Sequence, residues 1–482
     1  MTNKTMKTFT GYFSFLILII FIMTGYAHPA CAGTATALIA PDKIIYPPLK
    51  FNLPQVQRVV LENGIVLNIL EDHELPLVNV NAMIKTGTMY DPAGLEGVAE
   101  LTAYVMRTGG TAKLNSDQID NQIDFMAASA SIAMSMESAQ VNFSILNNDL
   151  DHGLDLLSQI LIHPVFEQEK FELARRLIQE ELRRTKDDPQ KLAFREFNRL
   201  IYHNDTRGRF PTNKSLSNIE RDDLIKFHDK FFIPGNIIFS ISGDITKEEA
   251  VKKFNQYFGD WKAGGMMTAT LPPPQQPNAG VYFIDKEIAQ SILISGRFAP
   301  GKKDPDFYAF TVLDFIVGSG GFPSRIVSVV RNSEGLAYTS GSFYRAKPAY
   351  GVFGAYAFTK TSSTLKALSL IDSVLDNIPA KPITAQELDW AKNSIDNGFI
   401  FSFSTAEQIA WQQTNLEYDK LPADFLIKYR DNIDKVTNSD LDKIAGIYLN
   451  RTKNVVLILG DGKKFDKPLS SLGPYTPVIP ED

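Results

Sequence analysis

The 482-residue chain has one cysteine, Cys31, and only six histidines. A lone cysteine excludes an internal disulfide framework and a CxxC redox pair. The histidines His28, His73, His152, His163, His203 and His228 never stand four or five residues apart, so no helix carries a paired-histidine metal motif. No Ser-His-Asp arrangement can be read either. There is no basic block: 49 Lys and Arg face 55 Asp and Glu, a net charge of −6, which gives nucleic-acid binding no support. Beyond the N-terminus no 18 consecutive residues are apolar, which excludes a further membrane-spanning helix. What is present is ordinary for a globular protein, 44% hydrophobic and 22% charged, with length for two or three domains.

The N-terminus reads as a secretory signal. Lys4 and Lys7 precede an apolar run, Tyr12 to Met23, too short for a comfortable span, and Ala30-Cys31-Ala32 supplies an A-x-A cleavage site. Residues 1–32 are the expected signal peptide and 33–54 an N-terminal extension. Cleavage removes two lysines and no acid, taking the formal charge to −8, and removes the only cysteine. A lipoprotein anchor at Cys31 is the competing reading; His28-Pro29-Ala30 lacks the leucine of a lipobox. The expectation is a soluble periplasmic protein with no transmembrane segment in the mature chain.

The chain repeats itself. The run from Asn236 to Gly243-Asp244 returns from Asn454 to Gly460-Asp461, each a buried-strand pattern closed by Gly-Asp, with the aspartates 217 positions apart. Thr86-Gly87-Thr88 with Asp91-Pro92 precedes one apolar helix; Ala299-Pro300-Gly301 with Asp304-Pro305 precedes another, Phe307 to Val317. Residues 263–277, rich in Gly and Pro, read as a linker between domains at 55–262 and 278–482.

In the first domain a hairpin is expected from Val59 to Leu70, turning at Glu62-Asn63-Gly64, with strands at Val78–Ile84 and Val141–Leu146. Helices fit Val98–Arg107, Ser116–Met126, Leu150–Ile162, Gln168–Lys186, Pro189–Tyr202 and Arg221–Phe231. In the second, strands fit Val281–Asp285, Ser291–Phe298, Ala337–Arg345, Gly351–Thr359 and Asn454–Leu459. Helices fit Ser363–Asn377, Ala385–Ser402, Thr405–Leu416 and Asn438–Tyr448. This predicts an α+β protein of two homologous domains, each a mainly antiparallel sheet with helices packed on one face.

The segment Gly97 to Gly109, GVAELTAYVMRTG, follows a strand and an Asp-Pro-Ala-Gly turn. Its layout resembles the zinc-binding segment of the insulinase and pitrilysin-type metallopeptidases, in the mitochondrial-processing-peptidase-like branch, where the pattern is GLAHFLEHMLFKGT. Laid on that pattern, the two histidine ligands of HxxEH fall on Glu100 and Tyr104, and the catalytic glutamate on Ala103. Tyr104 is a poor zinc ligand at neutral pH and Ala103 is no base. The family's third ligand lies in a pattern like EEI…DDP. Here Glu180-Glu181-Leu182 precedes Asp187-Asp188-Pro189, and Glu181 stands 77 residues after Tyr104, as the family spacing requires. Glu181 is thus either a relic of that ligand or a surface glutamate paired with an arginine of the RRLIQEELRR run. The resemblance covers nearly everything after residue 55, with His163-Pro164-Val165-Phe166, Pro234-Gly235-Asn236 and both Gly-Asp turns as further landmarks.

The second half carries Gly318-Ser319-Gly320-Gly321, Ser324-Arg325, and Arg331 through Gly335-Leu336-Ala337-Tyr338. This is similar to the family's GGG…SRL…VREKRGLAY, whose Arg and Tyr hold substrate across from the zinc helix. The resemblance implies substrate binding by Arg331 and Tyr338; the alternative is a helix-ending cation and a packed strand aromatic. The glycine run is followed by no Lys-Ser or Lys-Thr, so it is no P-loop, and reads as a flexible helix–strand connection.

A first half without zinc ligands and a second half with Arg and Tyr imply the zinc-free subunit of a heteromeric periplasmic metalloendopeptidase. Its expected partners are a homologous HxxEH-bearing subunit, which would hold the zinc, and a peptide or unfolded-protein substrate. The chain itself would carry no cofactor. The alternative is a structural or peptide-binding subunit with no proteolytic role.

Overall fold

The two strands closed by Gly-Asp lie inside two sheets of matching order. The computed structural model describes residues 53–262, 271–378 and 380–481. The expected signal peptide, Cys31, most of the extension at 33–54, and residues 263–270 of the linker lie outside the described residues.

In the first half, β1 (Gln57–Val60), β2 (Val66–Glu71), β3 (Leu77–Ile84), β4 (Ser129–Met134), β5 (Ala139–Leu146) and β6 (Ile237–Gly243) form a sheet of order β1-β2-β6-β3-β5-β4. Helices α1 (Val98–Thr108), α2 (Ser116–Phe125), α3 (Leu150–Ile162), α4 (Gln168–Asp187), α5 (Pro189–Tyr202), α6 (Asn213–Asn218), α7 (Arg221–Phe231) and α8 (Lys247–Phe258) complete it. In the second half, β7 (Gly280–Asp285), β8 (Gln290–Ala299), β9 (Ala337–Ala346), β10 (Gly351–Lys360), β11 (Val455–Gly460) and β12 (Tyr475–Pro477) form the order β12-β7-β11-β8-β10-β9. Its helices are α9 (Phe307–Asp314), α10 (Thr364–Asp376), α11 (Ala385–Ile400), α12 (Ala406–Asp419), α13 (Phe425–Asp434) and α14 (Asn438–Tyr448). Leaving aside the outer strands β1 and β12, the five strands of each half follow one topology. In both, one parallel pair (β2–β6, β7–β11) joins an antiparallel remainder. Among the described residues no helix is long and apolar enough to cross a membrane.

Local chemistry explains several breaks. The first hairpin turns through Gly64 at φ 94°, a left-handed conformation, and Asn63 donates from Nδ2 to the Phe258 carbonyl at 2.8 Å. Between α4 and α5, Pro189 cannot continue a helix, and Asp188 caps α5 by accepting from the Gln190 and Lys191 amides.

Each sheet packs its own helices on one face, through two large apolar cores. The other face receives one helix from the opposite half, which the sequence did not lead us to expect. Helix α5 lays Leu192, Ala193, Phe197 and Ile201 on Ile292, Ile294 and Phe298 of β8 and Val455, Leu457 and Leu459 of β11. Helix α12 crosses the first sheet in return, over β2, β3 and β6. There the strand alternation turns Asn68, Asn81, Ser240 and Ser242, all buried, away from the apolar core. Along one stripe of α12, Glu407 accepts from Asn81 at 2.8 Å, Thr414 from Asn68 at 3.1 Å, and Glu417 pairs with Arg58 at 2.6 Å. Ala410, fully buried on that stripe, lets helix and sheet approach.

Candidate functional site

Helix α1 is anchored at its start. Asp91 is buried and accepts from the Gly97 and Ala99 amides at 2.7 and 3.0 Å. Burial pushes its carboxyl up to about 7, against those two hydrogen bonds. Gly97 sits at φ 107°, and a Cβ there would meet a Leu216 methyl at 2.7 Å. The helix buries Val98, Leu101, Val105 and Met106 in the core.

The stripe Glu100, Ala103, Tyr104, Arg107 runs along one side. Glu100 is exposed at the surface, yet protein crowds it: desolvation raises its pKa, and the Glu181 charge adds to the rise. Neighbouring protein atoms remove much of a carboxylate's solvation even where water still reaches its oxygens. Ala103 is buried, Tyr104 is 40% exposed, and Arg107 is held by Asp120 at 2.8 Å. Glu181, on the neighbouring α4, pairs with Lys191 of α5 at 2.7 Å. The arginines of the same run serve Glu180 instead: Arg183 at 2.8 Å and Arg184 at 3.1 Å. The structure therefore brings Glu100 and Glu181 within electrostatic reach. Beside Glu100 on the α1 stripe stand only a methyl group and a phenol, and Glu181 is already held by an ammonium.

That donor set does not fit a catalytic zinc ion, which takes three or more protein ligands, mostly imidazole or thiolate, and needs a base for its water. Among the described residues no three His, Cys, Asp or Glu side chains converge to hold a metal.

In the second half, α9 gives way after Asp314 to a π-helical turn, Phe315–Ser319, and a second π-helical segment spans Val327–Ser333. The glycine run is packed rather than loose. A Cβ on Gly318 would meet the Ser342 amide at 2.4 Å, and one on Gly320 would meet the Trp390 ring at 2.5 Å. The expectation of a flexible connection is corrected at two positions: Gly318 and Gly320 are needed for close approach, while Gly321, in open space, takes a left-handed φ of 78°. Asp314, buried beneath this turn, accepts from the Ser342 hydroxyl at 2.6 Å, and burial pushes its carboxyl up to about 6.

Arg331 lies in the last turn of the second π-helical segment and Tyr338 is the second residue of β9. The guanidinium carbon of Arg331 lies 4.4 Å from the centre of the Tyr338 ring and 4.3 Å from that of Phe322. Tyr338 is 78% exposed and Phe322 58%, so neither ring belongs to a core. Among the described residues the Arg331 guanidinium has no hydrogen-bond or carboxylate partner. Two aromatic rings hold the guanidinium by cation–π contact and no acceptor among the described residues takes its N–H groups, an arrangement that can offer a fork to a carbonyl or carboxylate. Phe322 was missed in the sequence; an aromatic directly after a glycine run was the available signal.

Residues 68–212 match the family model described as Insulinase (Peptidase family M16), and residues 218–395 the one described as Peptidase M16 inactive domain. A Rickettsia bellii protein named "Uncharacterized zinc protease" is 26% identical over 343 residues, 70% of this chain and 81% of that protein. A Helicobacter pylori protein named "Non-peptidase homolog YmxG" is 24% identical over 403 residues, 82% of this chain and 92% of that protein. A crystal structure of a peptidase M16 inactive domain from Pseudomonas fluorescens superposes with a TM-score of 0.78 at 22% identity, over 89% of this chain and 100% of that one, a likeness of fold.

Proposed function

The chain belongs to the insulinase family of peptidases, M16, and from that premise we propose that it is the zinc-free subunit of a heteromeric, periplasmic metalloendopeptidase. In this reading Arg331 and Tyr338 bind peptide or unfolded-protein substrate opposite a homologous subunit that carries HxxEH and holds the zinc. Alone, the chain hydrolyses no peptide. The observation that carries the reading is the contrast between α1, with Ala103 and Tyr104 in place of a base and a ligand, and the open, aromatic-clamped Arg331. The name "non-peptidase homolog" borne by one relative is compatible with it.

The chemistry follows from those groups. Arg331 would take a backbone carbonyl or a carboxylate of the substrate through its free N–H edge. The Tyr338 hydroxyl would donate to the oxygen that gains charge as water adds to the scissile carbonyl. The test mixes this chain with an HxxEH-bearing relative from the same genome and follows a quenched fluorescent peptide. Activity should rise sharply on mixing. Arg331→Ala and Tyr338→Phe should each lower turnover about 100- to 1,000-fold, the usual cost of one transition-state donor. Assembly and the partner's zinc content should not change. Wild-type rates in both variants would make this chain a scaffold without a share in the chemistry.

A further inference from the structure

Helices α4, α5 and α6 form a concave cationic surface to which the proposed function gives no role. Two cavities of about 530 and 390 Å³ open side by side and share Arg195. Some of their cations are already neutralised: Arg183 by Glu180 at 2.8 Å, and Arg199 by Glu196 at 2.7 Å. Others are not. The charged side chains of Arg176 in the first cavity, and of Arg209 and Lys214 in the second, have no hydrogen-bond or carboxylate partner among the described residues.

Arg195, at the junction, is the most confined of them. Its side chain is 11% exposed, and its buried Nε has no acceptor. Its Nη2 donates to the Pro211 carbonyl at 3.3 Å, and the nearest carboxylate oxygen, from Glu196, stands 4.0 Å from Nε. A guanidinium stripped of water and left short of acceptors gains most from an added carboxylate. In a chain of net charge −6 this concentration of unpaired cations is local, not a reflection of the whole surface.

Carboxylates already line both cavities, Glu180 the first and Glu96, Glu196 and Glu481 the second. Glu481, in the segment after β12, lines the second cavity and reaches Arg199 at 3.5 Å. We propose that this groove docks an acidic stretch of polypeptide, and that Glu481 is a resident competitor for its outer edge. The groove shares α4 with Glu181, so a docked segment lies beside the altered metal face. The inference does not depend on a zinc-bearing partner.

Fluorescence anisotropy of labelled hexaglutamate, with hexaglutamine and hexalysine as controls, tests it on the full chain. Hexaglutamate should bind saturably and weaken as salt rises. The triple variant Arg176→Gln, Arg209→Gln, Lys214→Gln changes only exposed side chains, so circular dichroism should stay native while affinity falls about tenfold or more. Glu481→Gln should tighten binding severalfold. No saturable binding, or equal binding by the triple variant, overturns the proposal. Displacement by inorganic phosphate as readily as by unlabelled hexaglutamate overturns the peptide assignment and leaves a small-anion site. An unchanged affinity in Glu481→Gln overturns the competitor role.

Discussion

The two halves share a strand order and part company in the helix after the Asp-Pro step. Asp91-Pro92 leads into α1, regular over its whole length. Asp304-Pro305 leads into α9, which yields to a π-helical turn after Asp314. Ten residues past each aspartate, the first half has Leu101 and the second has Asp314, both buried. One position thus holds a core leucine in the half that carries Ala103 and Tyr104 on α1. It holds a hydrogen-bonded carboxylate in the half that exposes Arg331 and Tyr338. The outer sheet faces differ too: α5 meets the second sheet through apolar side chains, and α12 meets the first through amides, hydroxyls and carboxylates. A duplicated fold has kept its topology while each copy was free to change what its shared positions do.

The apolar face should be the harder one to damage without loss. Phe197 is fully buried, packs edge-on to Phe343 at 6.2 Å, and lies over Gly296, where a Cβ would meet its ring. Phe197→Ala should cost about 3–5 kcal/mol, the usual range for a buried phenylalanine. Urea unfolding measures it. A cost below about 1 kcal/mol, well under that range, would mean that α5 does not hold the halves together.

Asp314 sharpens the helix comparison through pH. Its folded pKa, about 6, lies above its ordinary 3.8, so the folded state holds the proton more tightly. Its contribution is full below the ordinary value and is lost as pH rises through about 6, by roughly 1.4 kcal/mol per unit of difference and on the order of 3 kcal/mol at most. Asp314→Asn keeps the shape and removes the titration. The gap between wild type and variant should therefore shift in the variant's favour between those two pH values and be flat on either side. A pH-independent gap would place the carboxylate outside the titrating set.

Much of this was legible in the chain. The Gly-Asp closures located β6 and β11, and Asp188-Pro189 located the break between α4 and α5, because both are local backbone chemistry. Strand β4, Ser-Ala-Ser-Ile-Ala-Met, was not found: its inward set, Ala130, Ile132 and Met134, alternates with small residues that give little apolar contrast. The exchange of α5 and α12 was hidden for another reason. An amphipathic stripe says that a helix packs, not on which sheet. The helix-ending place of Arg331 and the strand-opening place of Tyr338 could be read, but the clamp by Phe322 is a three-dimensional fact.

The polar face invites a smaller test. Thr414→Val removes the acceptor of Asn68, whose Oδ1 has no partner either, leaving a buried amide unsatisfied at a cost of about 1–3 kcal/mol. Adding Asn68→Leu should recover most of that loss, since replacing both partners with apolar groups is often nearly neutral. A double variant as unstable as the single one would show that the polar face is held by more than this bond.

The smallest effect should come from Phe322, and it separates a clamp from a contact. Its ring centre lies 4.3 Å from the Arg331 guanidinium carbon and that of Tyr338 4.4 Å. An exposed cation–π contact contributes about 0.5–1 kcal/mol. With Phe322 gone the fork is still charged and still backed by Tyr338, but its plane is less well fixed. In the mixed enzyme, Phe322→Ala should therefore lower kcat/KM roughly two- to fivefold, far less than Arg331→Ala. Phe322→Leu should behave like the alanine variant, because it keeps apolar bulk and lacks the ring's negative face. A loss as large as that of Arg331→Ala would mean that the ring touches substrate directly. Full activity in both variants would mean that Tyr338 alone fixes the guanidinium, and the second half would then need only the two residues its sequence already displayed.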